Sequence, residues 1–446
     1  MPVDMLQTPF MSQPALMASR DEDFVKAMLA VELALAETQE SLGIIPSGSA
    51  GRMRAALESH VFDVSAITTG IATGGNAAIP FVKAGRVALP NDLRRYWHLG
   101  ATSQDIVDSA LMLLLTPRLA RLDDLLGRCR TAAIGLMEDH AETVMVGRTL
   151  MQQALPITFG VKVAHWALGF EQGRRRLAEL ALPVQFGGAV GVHSGWGEQG
   201  LEVMDGLAER LGLAVPVLPW HTDRQPIHAL ASAVDALAGA AEKLALDVSL
   251  LTQTELGEVA EPAGEGMGES SSMPHKRNPV RSAMIRGACR RIHGHAAVII
   301  NATAQPLERG LGEWHAEWTP LVDGVLLLEG ALEQATVLLE GLEVNSEAMR
   351  RNLAVTGGAI MAEPVARRLT PHLGPDAAKA LAADAAERAR QASCPYAQAL
   401  EALLGERHPE LAGAIARDEL DAATDPALYL GSSKAQVARA IAWLEG

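Results

Sequence analysis

The chain has 446 residues, of which 48% are hydrophobic and 20% are charged. This composition is typical of a folded globular protein, and the length allows roughly two to four domains at about 100–200 residues each. The net charge of −15 argues against nucleic acid or an anionic membrane surface as the main partner.

The cysteines and the apolar runs indicate the compartment. Cys129, Cys289 and Cys394 lie far apart, so neither a zinc knuckle nor a disulfide framework is indicated. The first residues lack the basic and apolar regions of a secretory signal. No uncharged apolar run reaches the roughly 20 residues that a membrane helix needs. We therefore expect a cytoplasmic protein.

The sequence predicts an all-α fold, because Ala, Leu, Glu and Arg are abundant and alternating β-branched runs are scarce. In chain order, the predicted helices are Ser19–Leu42, Gln104–Thr116, Pro156–Leu180, Ile227 to about Ala260, Trp318–Gly341 and Pro375–Gln391.

The longest predicted helix carries an apolar seam in which steps of three and four residues alternate. Pro226 stands at its start and Pro262 stops it. At 1.5 Å per residue it would be about 50 Å long, which is typical of an elongated helix bundle. The seam consists of Ile227, Leu230, Val234, Leu237, Ala241, Leu244, Val248 and Leu251.

Two glycine-rich segments interrupt the helical pattern, at 186–200 and at 262–279. The second contains three glycines, the serines 270–272, Lys276 and Asn278. A mobile loop that places hydroxyls among cations suits closure over an anion and transfer of a proton. A solvated Gly/Ser linker with ordinary basic residues is the alternative interpretation.

The string SSSMPHKRNP at 270–279 resembles the signature loop of the aspartase/fumarase superfamily, with Glu269 in place of the usual glycine. Two further segments resemble its other active-site segments, namely GATSQD at 100–105 and GRTLMQQALP at 147–156. The resemblance implies an all-α homotetramer with a central twenty-helix bundle. Each active site would be built from three subunits, and each subunit would supply one segment.

The resemblance also implies a domain division and a set of site residues. The domains would be an N-terminal helical domain at 1–103, a central helix-bundle domain at 104–345 and a C-terminal helical domain at 346–446. Ser270 would transfer the proton, with Ser271 as the fallback. Lys276 would stabilise the developing negative charge. Substrate binding would fall to Thr102, Ser103, Arg148, Thr149, Gln152, His221, Arg224, Met273, Arg277 and Asn278.

Several of these residues have a plainer alternative. Thr102 and Ser103 taken alone are ordinary helix N-caps, and Gln152 taken alone is a surface residue. His221 taken alone is a capping or loop histidine. We expect no cofactor and no metal, since the sequence contains no metal-ligand or dinucleotide motif.

The departures from the superfamily pattern indicate the chemistry. Leu150 stands where many relatives carry a histidine, and Ala283 stands where the glutamate partner of that histidine would lie. The histidine helps a poor leaving group to depart, whereas a carboxylate, with a conjugate-acid pKa of about 4, leaves or attacks without help. The reacting group is therefore expected to be a stable anion.

One branch of the superfamily fits this expectation, the cycloisomerases that lactonise 3-carboxy-cis,cis-muconate in aromatic-acid (β-ketoadipate) catabolism. The sequence departs from that branch at 192–196 and at 223–225. It is similar to the branch at 147–156, 186–191, 218–222, 258–266, 314–320 and 356–363. The resemblance thus implies a small di- or tricarboxylate substrate.

Three alternatives remain open. A nitrosuccinate-type lyase would also expel a stable anion, and the 192–196 and 223–225 segments are where such a change would show. An adenylosuccinate lyase is disfavoured because the histidines are missing. A catalytically inactive scaffold protein is disfavoured because Ser270, Lys276 and Asn278 are retained.

Overall fold

The computed structural model describes residues 5–7, 9–17, 19–262, 273, 275–411, 415 and 417–446. Its regular structure is almost entirely helical, as the sequence predicts. In that part of the chain, no helix combines the length and hydropathy needed to cross a membrane. The helices are α1 (Gln13–Met17), α2 (Asp21–Ser41), α3 (Ser49–Glu58), α4 (Val64–Gly74), α5 (Ala78–Ala88), α6 (Ser103–Asp139), α7 (Phe159–Ala178), α8 (Gln199–Leu211), α9 (Gln225–Leu251), α10 (Val280–Ala302), α11 (Glu313–Glu340), α12 (Ser346–Leu353), α13 (Ala362–Leu373), α14 (Pro375–Ala392), α15 (Tyr396–Arg407), α16 (Arg417–Thr424) and α17 (Ser433–Glu445).

The chain forms two compact units. The first contains the described residues of Met1–Leu126, Gln172–Glu242 and Met284–Gln334. The second contains those of Gly127–Glu171, Lys243–Ala283 and Ala335–Gly446. The three-domain division at 103/104 and 345/346 stays a prediction.

The apolar seam of the longest predicted helix is confirmed in α9, because all of its predicted positions are buried. The helix is shorter than expected, however, and ends at Leu251 instead of near Ala260. Gly257 adopts a left-handed conformation at φ 57° and donates its N–H to the Gln253 carbonyl at 2.8 Å. The helix has already ended where the chain makes this turn, and at 1.5 Å per residue its length is about 40 Å.

The chain beyond that turn is extended, which the sequence did not predict. Strand β3 (Val259–Ala260) pairs antiparallel with β4 (Glu343–Val344). A second pair consists of β1 (Val144–Thr149) and β2 (Gln152–Thr158), so the helix expected from Pro156 begins only at Phe159. Both sheets are small enough for the fold to remain all-α.

A glycine shapes the β1–β2 hairpin. The register shifts between Val146 and Arg148, and a Cβ on the intervening Gly147 would lie 2.9 Å from the Leu155 carbonyl oxygen. Only glycine permits this close approach. The bulge lies next to Arg148, the first of the predicted site residues in this segment.

Helix α6 is longer than the sequence predicts. Expected at Gln104–Thr116, it continues through Pro117 to Asp139. A proline inside a helix removes a hydrogen bond and usually ends it. Here the buried apolar face continues beyond the proline with Leu122, Leu125, Leu126, Cys129, Ala133 and Met137.

Gly330 lies where α11 packs against the backbone of Phe10, and a substitution there tests that contact. A Cβ on Gly330 would lie 2.1 Å from the backbone oxygen of Phe10. Gly-to-Ala changes at compatible positions stabilise a protein by about 0.4–1 kcal/mol, but this clash reverses the sign. We expect Gly330→Ala to lower the free energy of unfolding by about 1–3 kcal/mol in urea titrations.

The matched control is Gly51→Ala in α3, where the added Cβ meets nothing within 4 Å. We expect this variant to be as stable as the parent or slightly more stable. Equal urea midpoints for the two variants would contradict the packing of α11 against Phe10.

Candidate active site

The segment 100–105 forms the entry to α6. The helix begins at Ser103, and the backbone N–H of Thr102 donates to Asp105 Oδ2 at 2.9 Å. Thr102 and Ser103 are half-buried. The Asp105 carboxylate takes up the Thr102 N–H, and the remaining N–H groups of a helix start favour negative charge near this position.

The carboxylate of Asp105, only 1% exposed, joins three separate segments. Beyond Thr102, it accepts the backbone N–H groups of Gly187 at 3.0 Å and Gly188 at 2.9 Å. Further hydrogen bonds come from Gln185 Nε2 at 3.3 Å and from His221 Nε2 at 2.7 Å. A buried carboxylate is tolerated only when it is satisfied in this way.

The predicted substrate-binding residue His221 is buried beside the glycine-rich segment. Since a carboxylate only accepts, the imidazole proton of His221 lies on Nε2 when the ring is neutral. Within the described residues, His221 Nδ1 has no hydrogen-bond partner. A Cβ on Gly191 would lie 3.5 Å from this nitrogen. Contact of His221 with substrate stays a prediction, and its observed role is to hold Asp105 in place.

The predicted substrate-binding residue Arg224 is 1% exposed and belongs to a buried ion network. Its guanidinium donates to Asp108 at 2.8 Å and to Glu317 at 2.7 Å, and it lies 4.7 Å from the ring centre of Trp220. Burial lowers the pKa of Arg224, but the two carboxylates outweigh burial and the net pKa is raised. This geometry favours a structural role for Arg224.

The other two arginines predicted to bind substrate, Arg148 and Arg277, also face carboxylates. Arg148 forms two hydrogen bonds with the buried Glu258, at 2.9 and 2.7 Å. Arg277 forms two with Glu343, at 2.9 and 2.8 Å. Because each guanidinium is matched by a carboxylate, neither contributes much net positive charge for an anionic substrate.

Arg309 differs from these three, and sequence reasoning missed it. Its guanidinium donates to Thr102 Oγ1 at 2.5 Å, to Gln104 Oε1 at 3.0 Å and to the Ala189 carbonyl at 3.3 Å. All three hydrogen-bond acceptors are neutral, and the Asp105 and Asp108 carboxylates act on Arg309 only through their electrostatic field. Burial lowers the pKa of Arg309, which marks a cation that gains from an anionic partner.

No motif marks Arg309, because it lies between α10 and α11 where helical periodicity is absent. The only sequence signal close to it is the stretch 314–320, which begins five residues downstream. In the first unit, the structure thus brings Arg309 together with Thr102 and, through Asp105, with His221.

The described residues that flank the signature loop are firmly held. The carboxylate of Glu261 accepts the N–H groups of Arg281 at 2.9 Å and Ser282 at 2.8 Å, and the Ser282 hydroxyl at 2.7 Å. Arg277 donates to the Glu261 carbonyl at 2.8 Å as well as to Glu343. Both ends of the loop therefore meet at Glu261.

The predicted catalytic serines Ser270 and Ser271 lie outside the described residues. Met273 and Lys276 are exposed, and Asn278 is half-buried. Their assigned roles stay predictions.

The third predicted segment forms the tip of the β1–β2 hairpin. Thr149 and Gln152 lie opposite each other, joined by a two-residue turn of Leu150 and Met151 with φ of 48° and 66°. Positive φ at both turn residues matches the twist of a hairpin, but it strains residues that carry a Cβ. The Leu150 side chain is 97% exposed and that of Met151 66%.

A pair formed by a histidine and a glutamate holds the residues that lead into the segment 100–105. His98 has a φ of 60°, and its Nδ1 lies 2.6 Å from Oε1 of Glu32 on α2. Gln39, also on α2, donates to the Leu99 carbonyl at 2.7 Å. Burial lowers the pKa of His98, but the Glu32 carboxylate outweighs burial and the net pKa is raised.

The pair predicts a pH dependence of stability. Because the pKa of His98 is raised in the folded protein, the stabilisation by this pair is complete below the unfolded pKa of about 6.5. It is lost as the pH rises through the folded pKa. Besides Glu32, the charged groups that act on His98 are Asp105, which raises its pKa, and Arg86, which lowers it. We expect Glu32→Gln to cost about 1.5–3 kcal/mol at pH 6 and much less at pH 9. Urea titrations at both pH values measure this, and an equal cost at both would contradict the pairing.

The hydrogen bonds of Asp105 predict that replacing its carboxylate by an amide lowers the stability of the protein strongly. Asp105→Asn places an amide N–H₂ among N–H donors, so we expect a loss of about 3–5 kcal/mol in the free energy of unfolding. The control is Asp92→Asn, which removes an exposed ion pair with Arg52 and should cost at most about 1 kcal/mol. Similar urea midpoints for the two variants would rule out the proposed importance of Asp105.

Known proteins resemble this chain over most of its length. A family model described as "Lyase" matches residues 11–294. The chain is 44% identical over 439 residues to 3-carboxy-cis,cis-muconate cycloisomerase of Pseudomonas aeruginosa, covering 97% of this chain and 95% of that protein. It is 40% identical over 443 residues to nitrosuccinate lyase of Streptomyces davaonensis, covering 96% and 92%.

The fold has a close counterpart among solved structures. The 3-carboxy-cis,cis-muconate lactonizing enzyme from Pseudomonas putida superposes with a TM-score of 0.91 at 38% identity, covering 99% of both chains. This similarity confirms the fold class and the superfamily resemblance inferred from the three sequence segments.

Proposed function

The chain belongs to the lyase family whose model it matches, and from this premise we propose that it is an enzyme that lactonises 3-carboxy-cis,cis-muconate. The observation that carries the proposal is the apolar tip of the β1–β2 hairpin. Leu150 occupies the position where many relatives carry a histidine, and an alkyl side chain cannot protonate a leaving group. Chemistry at such a site requires a group that is already a stable anion.

The proposed reaction is an intramolecular addition. One substrate carboxylate attacks the adjacent alkene carbon, and a C–O bond forms as the C=C π bond breaks and its electron pair moves toward the conjugated carboxylate. Negative charge develops as an enediolate on the carboxylate conjugated to that alkene, where Lys276 and Asn278 stabilise it. Ser270 delivers a proton to the carbon α to that carboxylate, so the lactone is an isomer of the substrate. In reverse, the Ser270 alkoxide removes the same proton.

A second substrate carboxylate binds at the start of α6 in this proposal. The helix N-terminus and the Thr102 hydroxyl favour an anion there, and Arg309 supplies a charge that faces only neutral acceptors among the described residues. The overall charge of −15 does not oppose this binding, because local charge decides which ion a pocket accepts.

We further propose a cytoplasmic homotetramer in which each active site takes its segments from three copies of the chain. The hairpin tip supports this assembly. Leu150 and Met151 are exposed apolar residues on a strained turn. Exposed apolar surface of this kind is favoured where another chain covers it.

Nitrosuccinate lyase activity is the second candidate. The relative from Streptomyces davaonensis supports it, and nitrite, like a carboxylate, departs without protonation. The same hairpin tip is compatible with both reactions.

An ultraviolet assay distinguishes them. Lactonisation interrupts the conjugated diene of 3-carboxy-cis,cis-muconate, so we expect its absorbance to fall when the enzyme is added without cofactor. No loss of absorbance, together with release of nitrite from nitrosuccinate, would replace this proposal by the second candidate. Neither activity, and no shift of the thermal midpoint by either acid, would indicate an inactive scaffold.

The serine assignment is tested in the same assay. We expect Ser270→Ala to lower kcat by about 10²–10⁴-fold, which is the usual contribution of a positioned acid or base. Ser271→Ala, which removes a neighbouring hydroxyl from the same loop, is the matched control and should retain most of the activity. The reverse pattern would assign the proton transfer to Ser271.

A further inference from the structure

We propose that Trp196 is a specificity-determining residue, and that its indole forms a wall over Gly100 that favours flat, unsaturated carboxylic acids over saturated ones. The inference deepens the proposed function and rests on it for the identity of the natural substrate. Trp196 belongs to the segment 192–196, where the sequence departs from the cycloisomerase branch.

The indole lies directly against the backbone of the first site segment. A Cβ built on Gly100 would lie 2.2, 2.5 and 2.8 Å from Cζ2, Cε2 and Nε1 of Trp196. Gly100 also has a φ of 77°, a conformation that favours glycine. Position 100 is therefore restricted to glycine twice over, by its backbone conformation and by the indole beside it.

Gly100 is enclosed on a second side as well. A Cβ on Gly188 would lie 3.0 Å from the carbonyl oxygen of Gly100. The N–H of Gly188 is held by Asp105, so this side of the segment is rigid. Trp196 therefore lies against the backbone two residues before Thr102, the residue to which Arg309 donates.

A scaffold of buried groups holds the indole. The Trp196 ring meets Phe186 edge to face, with centroids 6.3 Å apart, and its backbone N–H donates to the His193 carbonyl at 2.9 Å. The buried His193 stacks on Phe186 at 5.4 Å and donates from Nε2 to the Phe186 carbonyl at 3.0 Å. A Cβ on Gly200 would lie 2.2 Å from His193 Cβ, so this packing also requires a glycine.

These contacts imply a preference among substrates. An aromatic face packs best against a flat π-system, and such contacts contribute beyond the area they bury. The diene of 3-carboxy-cis,cis-muconate is flat and conjugated, whereas the carbon skeleton of nitrosuccinate is saturated. Trp196 would therefore favour the diene, and a smaller residue would reduce that preference.

The test compares kcat/KM for the two acids in the parent, Trp196→Phe and Trp196→Ala. We expect Trp196→Ala to lower kcat/KM for 3-carboxy-cis,cis-muconate by about tenfold, mainly through KM, and Trp196→Phe by about threefold. The control Trp443→Ala removes a tryptophan from α17 and should leave the parent value unchanged. An unchanged kcat/KM in Trp196→Ala, or an equal loss in the control, would overturn the inference.

If the parent enzyme does not turn over 3-carboxy-cis,cis-muconate, the proposed function is wrong, and a separate binding experiment tests the role of Trp196. The inference is then decided by calorimetric binding of fumarate, which is flat, and of succinate, its saturated counterpart. We expect the parent to bind fumarate more tightly and Trp196→Ala to lose that preference. Equal affinities in the parent, a preference that persists in the variant, or no binding of either acid would overturn it.

Discussion

The part of the site around Thr102 and His221 depends on the hydrogen bonds of one buried carboxylate, that of Asp105. A charge with 1% exposure is costly unless every lone pair is used, and the N–H groups of Thr102, Gly187, Gly188, Gln185 and His221 use them. These donors come from the start of α6, from the glycine-rich segment and from the residues before α9. One carboxylate therefore fixes the relative positions of three backbone segments that are far apart in sequence, including the glycine-rich segment that encloses Gly100.

Pairing also explains how an acidic chain can present a positive site. Arg148, Arg224 and Arg277 are each matched by carboxylates, and their energetic effect is to hold backbone segments together. The hydrogen-bond acceptors of Arg309 among the described residues are all neutral oxygens, and Arg309 lies beside a helix N-terminus. The positive groups beside Thr102 are thus the Arg309 guanidinium and the N–H groups at the start of α6, which act at short range next to the Asp105 carboxylate.

The sequence predicted what depends on periodicity or on an unusual string of residues. The α9 seam repeats along the helix and is recognisable from apolar spacing alone, and segments 100–105 and 147–156 are distinctive strings. Features that depend on tertiary packing were missed. The passage of α6 through Pro117 needs a buried face on both sides of the proline, and Arg309 has no pattern around it. Only the end of β2, at 156–158, was taken for the start of a helix, because Pro156 resembles a helix start; the rest of the β1–β2 hairpin was not predicted.

Amide hydrogen exchange tests the role of the Asp105 carboxylate most directly. If it holds the glycine-rich segment as described, the N–H groups of Gly187 and Gly188 will exchange as slowly as those in the middle of α9, although they lie outside any helix or strand. Peptide-resolved exchange followed by mass spectrometry measures this on the full chain. Exchange of these amides within seconds, at the rate of the exposed segment 215–218, would show that Asp105 does not organise the site.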